Sequence, residues 1–221
     1  MSTTVVRANK RALRKVIRTT LGELPAEDIQ SQSRAIIAKV MALPAFQSSR
    51  TFSCYLSMPT AEVQTASLIT DILTDNRKKL FVPIIVSESD HMDFVRLHDE
   101  QDYRNLPIGL WGIPQPTTQW NNEKHLDVIL LPGRWRVAFD RSLSRLGHGK
   151  GYYDKFLSSY ITAAKRPRPL LGKLIVGLAL QQQLLDARSV PITETDWKVD
   201  MVITPDDIIT KDDLPKDLAN A

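Results

Sequence analysis

Between Thr51 and Thr204 the hydrophobic pattern alternates repeatedly between short apolar runs and helical periodicity, and few folds accommodate that alternation. Thr51–Leu56 and Lys79–Ile85 read as strands. The intervening Thr65–Asn76 reads as a helix with Leu68, Ile69, Ile72 and Leu73 on one face, so the three segments form a βαβ signature. Met92–Leu97 is a shorter strand, Asp127–Leu131 a nearly continuous apolar one, Tyr152–Ile161 a helix, and Leu174–Ala179 and Val199–Thr204 two further strands, the last stopped by Pro205. Two helices precede this region. The first, Arg7–Leu21, places Ala12, Leu13, Val16, Ile17 and Leu21 on an apolar side and Lys10, Arg14 and Arg18 on another. The second runs from Pro25 to before Pro44. The pattern predicts an α/β fold, a mainly parallel sheet with helices on both faces and ligands at the carboxyl ends of its strands. No repeat or linker interrupts residues 1–221, so one domain is expected, with a frayed tail beyond Lys211. The stretch from Pro107 to Pro116, with two glycines and three prolines, reads as an ordered loop.

Composition removes several function classes. No apolar run approaches the ~20 residues of a membrane span. A single cysteine, Cys54, supports neither an intramolecular disulfide nor a thiolate zinc centre and reads as a buried small hydrophobe. The four histidines lack metal-ligand spacing, which leaves carboxylates as the candidate metal donors. A net charge of +4 favours anionic partners without naming one. The N-terminal helix holds no acidic residue before Glu23, a composition shared with mitochondrial presequences.

Three of the nine glycines fall within Gly147-His148-Gly149-Lys150-Gly151, directly before the helix expected at Tyr152. Glycines let successive N–H groups converge into a concavity, and a helix start adds unpaired N–H groups with a positive dipole end; an anionic phosphate suits such a place. Arg145 and Lys150 add full charges. The run is neither a Walker loop, because Gly151 follows the lysine, nor a dinucleotide G-x-G-x-x-G. A plain surface turn is the alternative reading. Asp154, in the first helical turn, reads equally as a dipole-stabilising acid or as a magnesium ligand.

The run Arg145-Leu146-Gly147-His148-Gly149-Lys150-Gly151-Tyr152-Tyr153-Asp154, preceded by Leu131-Pro132-Gly133 and Ala138-Phe139-Asp140, resembles the 5-formyltetrahydrofolate cyclo-ligases, also called methenyltetrahydrofolate synthetases. The resemblance extends over nearly the whole chain. It includes Lys10 and Arg14, Tyr55-Leu56-Ser57-Met58, Glu62-Val63, His91-Met92-Asp93, Trp111 with Ile113-Pro114-Gln115-Pro116, and Asp196 with Lys198-Val199-Asp200. It implies an ATP- and Mg²⁺-dependent closure of 5-formyltetrahydrofolate to 5,10-methenyltetrahydrofolate, with release of ADP and phosphate.

The same resemblance implies site roles. Lys10, Arg14, Arg145 and the loop Leu146, Gly147, His148, Gly149, Lys150, Gly151, Tyr152 and Tyr153 would bind ATP, with Lys150 and Arg145 catalytic. Leu56, Glu62, Met92 and Trp111, with His148, Gly149, Lys150, Gly151 and Tyr152, would meet the folate. Asp154 and Asp196 would hold Mg²⁺. Asp196 alone reads as a loop cap, Leu56 as core, Trp111 as a loop anchor, and Lys10 with Arg14 as a solvated basic face. The resemblance argues against presequence cleavage, which would remove Lys10 and Arg14. It implies a cytoplasmic monomer that binds neither nucleic acid nor membrane, with a mitochondrial fraction left open. Two rivals are a different phosphotransferase and a nucleic-acid-binding module using the basic helix, though no recognition motif supports the latter. Three departures from the family pattern stand out: His148 where arginine is common, Leu143 where glycine is frequent, and an inserted Arg134-Trp135-Arg136. Unlike arginine, histidine changes charge near neutral pH.

Overall fold

The N-terminal periodicity becomes two packed helices in the computed structural model, which describes residues 3–86, 91–109, 113–116, 126–133, 136–163 and 174–214. Helix α1 spans Thr3–Gly22 and α2 spans Ala26–Ala42. Pro25 caps α2, with Glu27 and Asp28 in its first turn and Lys39 in its last, which complements the helix dipole. The buried stripe of α1 is Val6, Lys10, Ile17 and Leu21, while Val16 is 60% exposed. This corrects the expected face: the helix is rotated so that Lys10 points inward and Val16 outward. The rotation is possible because Lys10 finds a carboxylate partner, Asp196. A short helix α3, Pro44–Ser48, follows with proline at its start.

The chain then builds β1 (Thr51–Ser53), α4 (Ala66–Thr74), β2 (Lys79–Val86), β3 (His91–Leu97) and α5 (Glu100–Arg104). After the proline loop come β4 (Val128–Pro132), β5 (Ala138–Asp140), β6 (Arg145–Leu146) and α6 (Tyr152–Ala163). The last strands are β7 (Leu174–Leu178), β8 (Leu184–Leu185), β9 (Met201–Ile203) and β10 (Ile208–Thr210). Seven strands form one sheet in the order β10-β9-β7-β4-β1-β2-β3, and β6-β5-β8 form a small second sheet. In the large sheet β2, β1, β4, β7 and β9 run parallel, and the edge strands β3 and β10 are antiparallel to their neighbours.

Strand alternation divides the core between the two faces. Phe52, Leu80, Val128, Leu130, Val176 and Leu178 pack with residues of α1, α2 and α4, such as Ile17, Ile36 and Leu68. Phe81, Ile129, Leu131, Ile175 and Val202 pack on the opposite side with Phe156 and Leu157 of α6 and Phe139 of β5. Helices therefore cover both faces, as the alternation of apolar runs and helices predicts. Gly177 in β7 makes room for the small sheet: a Cβ there would fall 2.7 Å from Phe139 Cζ. Gly177→Ala should therefore cost about 1–3 kcal/mol of overpacking, read as a lower urea midpoint with an unchanged m-value; an unchanged midpoint would show that Phe139 can yield.

Strand β1 ends at Ser53, short of the expected Leu56. The Cys54 amide still donates to Phe81 O at 2.9 Å, after which the chain leaves the sheet. The elements α3, α5, β5, β6, β8 and β10, each of two to five residues, are too short to register a hydrophobic period. The sequence predicts a frayed tail beyond Lys211; residues 211–213 instead form a 3-10 turn, and 215–221 lie outside the described residues. Among the described residues no helix is long and apolar enough to cross a membrane.

Candidate functional site

Strand order reverses beside β1: the chain moves from β1 to β2 on one side, then returns to place β4 on the other. Open α/β sheets take ligands at the carboxyl ends of strands where the order reverses. A cavity of about 640 Å³ lies here, lined by Tyr55 and Leu56 just past β1 and by Pro132 at the end of β4.

One wall is apolar, built by Tyr55, Leu56, Pro83, Ile85, Met92 and Val137. Ile113, Pro114 and Gln115 of the proline loop join it. That loop is ordered by backbone bonds from Gly109 N to Ile113 O (2.8 Å) and from Gln115 N to Pro107 O (2.9 Å). Set into this wall is Glu62, only 1% exposed. Its Oε2 accepts from Met58 N at 2.9 Å, and Gln64 Nε2 donates to Met58 O (2.8 Å) and Glu62 O (2.9 Å), so the turn carrying the carboxylate closes on itself. Ala61, at φ 56°, holds a left-handed conformation immediately before it. Cys54 is fully buried; burial chiefly pushes its thiol up to about 12, opposed by a Thr65 hydrogen bond and reinforced by Glu62, so it is inert as a nucleophile at neutral pH.

The opposite wall is cationic and belongs to β6, the glycine loop and the start of α6. Arg145, its side chain 4% exposed, donates from Nη2 to Asp154 Oδ2 at 2.8 Å and lies 5.7 Å from the Tyr153 ring centroid. Lys150 Nζ is 5.6 Å from the Tyr152 ring centroid. Gly149 and Gly151 sit at φ 122° and 68°, conformations that side chains resist, and Gly151 O accepts the Lys155 amide at 2.9 Å as α6 begins. The loop is anchored from behind by α1: Arg14 Nε donates to Gly147 O at 2.8 Å. Burial lowers the Arg14 pKa, with nearby Asp196 acting against that shift.

Asp196 completes the cluster. Its Oδ2 receives Lys10 Nζ, the Thr193 amide at 2.6 Å and Thr193 Oγ1 at 2.8 Å. The next residue reaches back, Trp197 N donating to Asp154 Oδ1 at 3.2 Å while its indole Nε1 donates to Ser158 Oγ at 2.8 Å. Asp154 and Asp196 are thus held by adjoining backbone. Burial raises the Asp196 pKa, but Lys10 and the Thr193 donors outweigh it, so the group stays ionised below the usual carboxylate range. A depressed native pKa gives stability that is present above the unfolded value and lost as pH falls through the folded one. The stability gap between wild type and Asp196→Asn should accordingly shrink as pH drops from 7 to below the ordinary aspartate value of 3.8, as followed by denaturant midpoints; a constant gap would contradict the ion pair.

The structure therefore gathers Leu56, Glu62, Met92, Arg145, Gly147 and His148 around one space with Lys150, Gly151, Tyr152, Tyr153 and Asp154. Lys10, Arg14 and Asp196 stand behind the loop and are bonded to it or to one another. Gly149 is exposed outside the lining. Leu146 is fully buried in the α1/α2 core, so its side chain cannot face a ligand. Trp111, and Arg134 and Trp135 of the insertion, lie outside the described residues. Sequence reasoning missed Tyr55 and Val137 in the wall and Thr193 as the holder of Asp196. The Thr-x-x-Asp spacing of Thr193 and Asp196, a capping pattern, was the available signal. Among the described residues no group of three or more His, Cys, Asp or Glu side chains is placed to hold a metal on its own.

An open, mainly parallel sheet with a cavity at its reversal point, apolar on one side and cationic and glycine-built on the other, defines an α/β protein for small anionic ligands. Residues 6–205 match the family model of the 5-formyltetrahydrofolate cyclo-ligase family, and the chain belongs to that family of enzymes. A probable 5-formyltetrahydrofolate cyclo-ligase of Caenorhabditis elegans is 38% identical over 88% of this chain and 91% of its own. One of Schizosaccharomyces pombe, with the same name, is 34% identical over 90% and 97%. Among solved structures, the 5,10-methenyltetrahydrofolate synthetase of Aquifex aeolicus superposes with a TM-score of 0.70 at 27% identity, over 94% of this chain and 95% of that one.

Proposed function

We propose that this chain, acting as one domain, converts 5-formyltetrahydrofolate to 5,10-methenyltetrahydrofolate using ATP and Mg²⁺, with release of ADP and phosphate. The supporting observation is the two-walled cavity: an apolar wall with a buried carboxylate faces a cationic glycine loop across about 640 Å³, space for a reduced pterin to meet a terminal phosphate.

A formamide oxygen is a poor leaving group, and phosphorylation by ATP cures that. The formyl oxygen takes the terminal phosphoryl group, ADP departs, the second folate nitrogen attacks the formyl carbon and gives up its proton, and phosphate leaves the cyclic intermediate carrying the C–O oxygen. Leu56 and Met92 supply apolar contact for the pterin, and Glu62 offers a carboxylate to its N–H groups. In this reading Gly147 and Gly151, which line the cavity, offer backbone N–H groups to the phosphates, and Lys150 and Arg145 neutralise the charge that develops during transfer. Lys10 and Arg14 act from α1, Arg14 by fixing the loop through Gly147 O. No protein nucleophile is needed.

Asp154 and Asp196 suit a hard cation that takes one or two carboxylates plus substrate oxygens. All three bonds to Asp196 converge on Oδ2, a geometry that leaves its other oxygen outside them. A bound Mg²⁺ would supply charge neutralisation at the phosphates.

Purified protein given 5-formyltetrahydrofolate, ATP and Mg²⁺ should develop the methenyl chromophore, and Asp154→Asn should slow it. No chromophore from folded wild-type protein would refute the reading.

A further inference from the structure

Asp140 is a carboxylate with no part in the chemistry above, yet it is completely buried at the end of β5. Burying a charge is costly unless donors surround it. Here Oδ1 accepts the amides of Ser142 (2.9 Å) and Ser144 (3.0 Å), and Oδ2 accepts the amide of Val190 (3.0 Å). The donors come from two stretches of chain some 50 residues apart, and each stretch runs directly into one half of the site. Ser144 precedes Arg145, which pairs with Asp154. Val190 precedes Thr193, which holds Asp196. Two smaller struts run alongside: Arg188 N to Ser142 Oγ at 2.9 Å and Val199 N to Leu143 O at 3.0 Å.

We infer that Asp140 is a positioning residue: its carboxylate fixes the separation between the Arg145–Asp154 pair on the glycine-loop wall and the Lys10–Asp196 pair behind it, so that both halves meet one triphosphate. The inference rests on the proposed function and adds a residue that touches no substrate. The geometry supports a spacer because the two oxygens divide their donors by segment, one oxygen per half of the site. Asp140→Asn keeps volume and one acceptor oxygen but turns an NH₂ donor toward the Val190 amide, which breaks the carboxylate's strut between halves, leaving only the Arg188–Ser142 and Val199–Leu143 bonds there, while sparing the one within β5–β6.

The test is calorimetric titration of folded Asp140→Asn and wild type with ATP in the absence of Mg²⁺, together with steady-state kinetics for both substrates. The expected result is an ATP affinity at least about tenfold weaker and a kcat lower by up to about 10²-fold, as small misplacements cause. The KM for 5-formyltetrahydrofolate should change less than the ATP affinity, because Leu56, Glu62 and Met92 lie on other elements than the loop. A merely structural role would shrink the active fraction and leave both affinities intact. Should the variant fail to fold, wild-type amide exchange carries the test. Saturating ATP should slow exchange at Ser142, Ser144 and Val190 together, although none of them faces the cavity. Equal ATP affinity in variant and wild type, or exchange at these amides unmoved by ATP, overturns the inference alone. Absence of ATP binding to the wild type overturns the proposed function and this inference with it.

Discussion

Lys150→Ala should lower kcat for methenyl formation about 10²–10³-fold, the loss typical when one preorganised charge-stabilising donor is removed. Its melting temperature should stay at the wild-type value. Lys150 is an exposed residue of the glycine loop, its charge facing the cavity rather than the core, so the folded state scarcely depends on it. The effect belongs in kcat and less in folate KM, since the ammonium acts on charge that appears during phosphoryl transfer. Arg145→Ala provides the contrast. That guanidinium is buried against Asp154, and its removal strands a half-buried carboxylate, so stability should fall with activity. If Lys150→Ala instead retained full kcat, the lysine would be an ordinary surface charge and the loop a turn.

The largest stability effect is expected at Leu143, a core residue in a left-handed turn. Its φ is 62°, left-handed and costly for a branched side chain, yet it is 1% exposed in the core formed by Phe139, Leu157 and Val199. Two terms of opposite sign compete. Truncation to alanine forfeits about 3–5 kcal/mol of buried contact and leaves the strain in place. Truncation to glycine forfeits the same contact but recovers about 1–2 kcal/mol of backbone strain. The expected order is therefore leucine, then glycine, then alanine, the reverse of the ordinary alanine-over-glycine preference. Urea midpoints of the three proteins decide it, and alanine above glycine would show that the left-handed turn costs nothing here.

Long elements were legible because burial on both faces writes itself as unbroken apolar runs: Val128–Pro132 and Leu174–Leu178 are the central strands, and both were found within a residue. The glycine loop was legible as a feature because three glycines crowd into five residues directly before a helix. What the sequence hid depended on partners far along the chain. Lys10 reads as a surface cation until Asp196, 186 residues away, takes it inward. Asp140 stands out in the sequence only as part of the Ala138-Phe139-Asp140 fragment, because the donors that satisfy it are the amides of residues 142, 144 and 190, and amides are alike in every sequence context. Glu62 is singled out through its family motif, but its burial beside a left-handed Ala61 is not written in the residue types, since alanine does not advertise such a turn.

The central claim is that the glycine loop between β6 and α6 grips the triphosphate beside the folate wall. A crystal structure with a non-hydrolysable ATP analogue and Mg²⁺ addresses it most directly. The phosphates should lie against the amides of Gly147 to Gly151, with Lys150 and Arg145 in contact, the metal at Asp154 or Asp196, and the terminal phosphate facing the space bounded by Leu56 and Glu62. A triphosphate seated elsewhere, with that loop empty, would contradict the account.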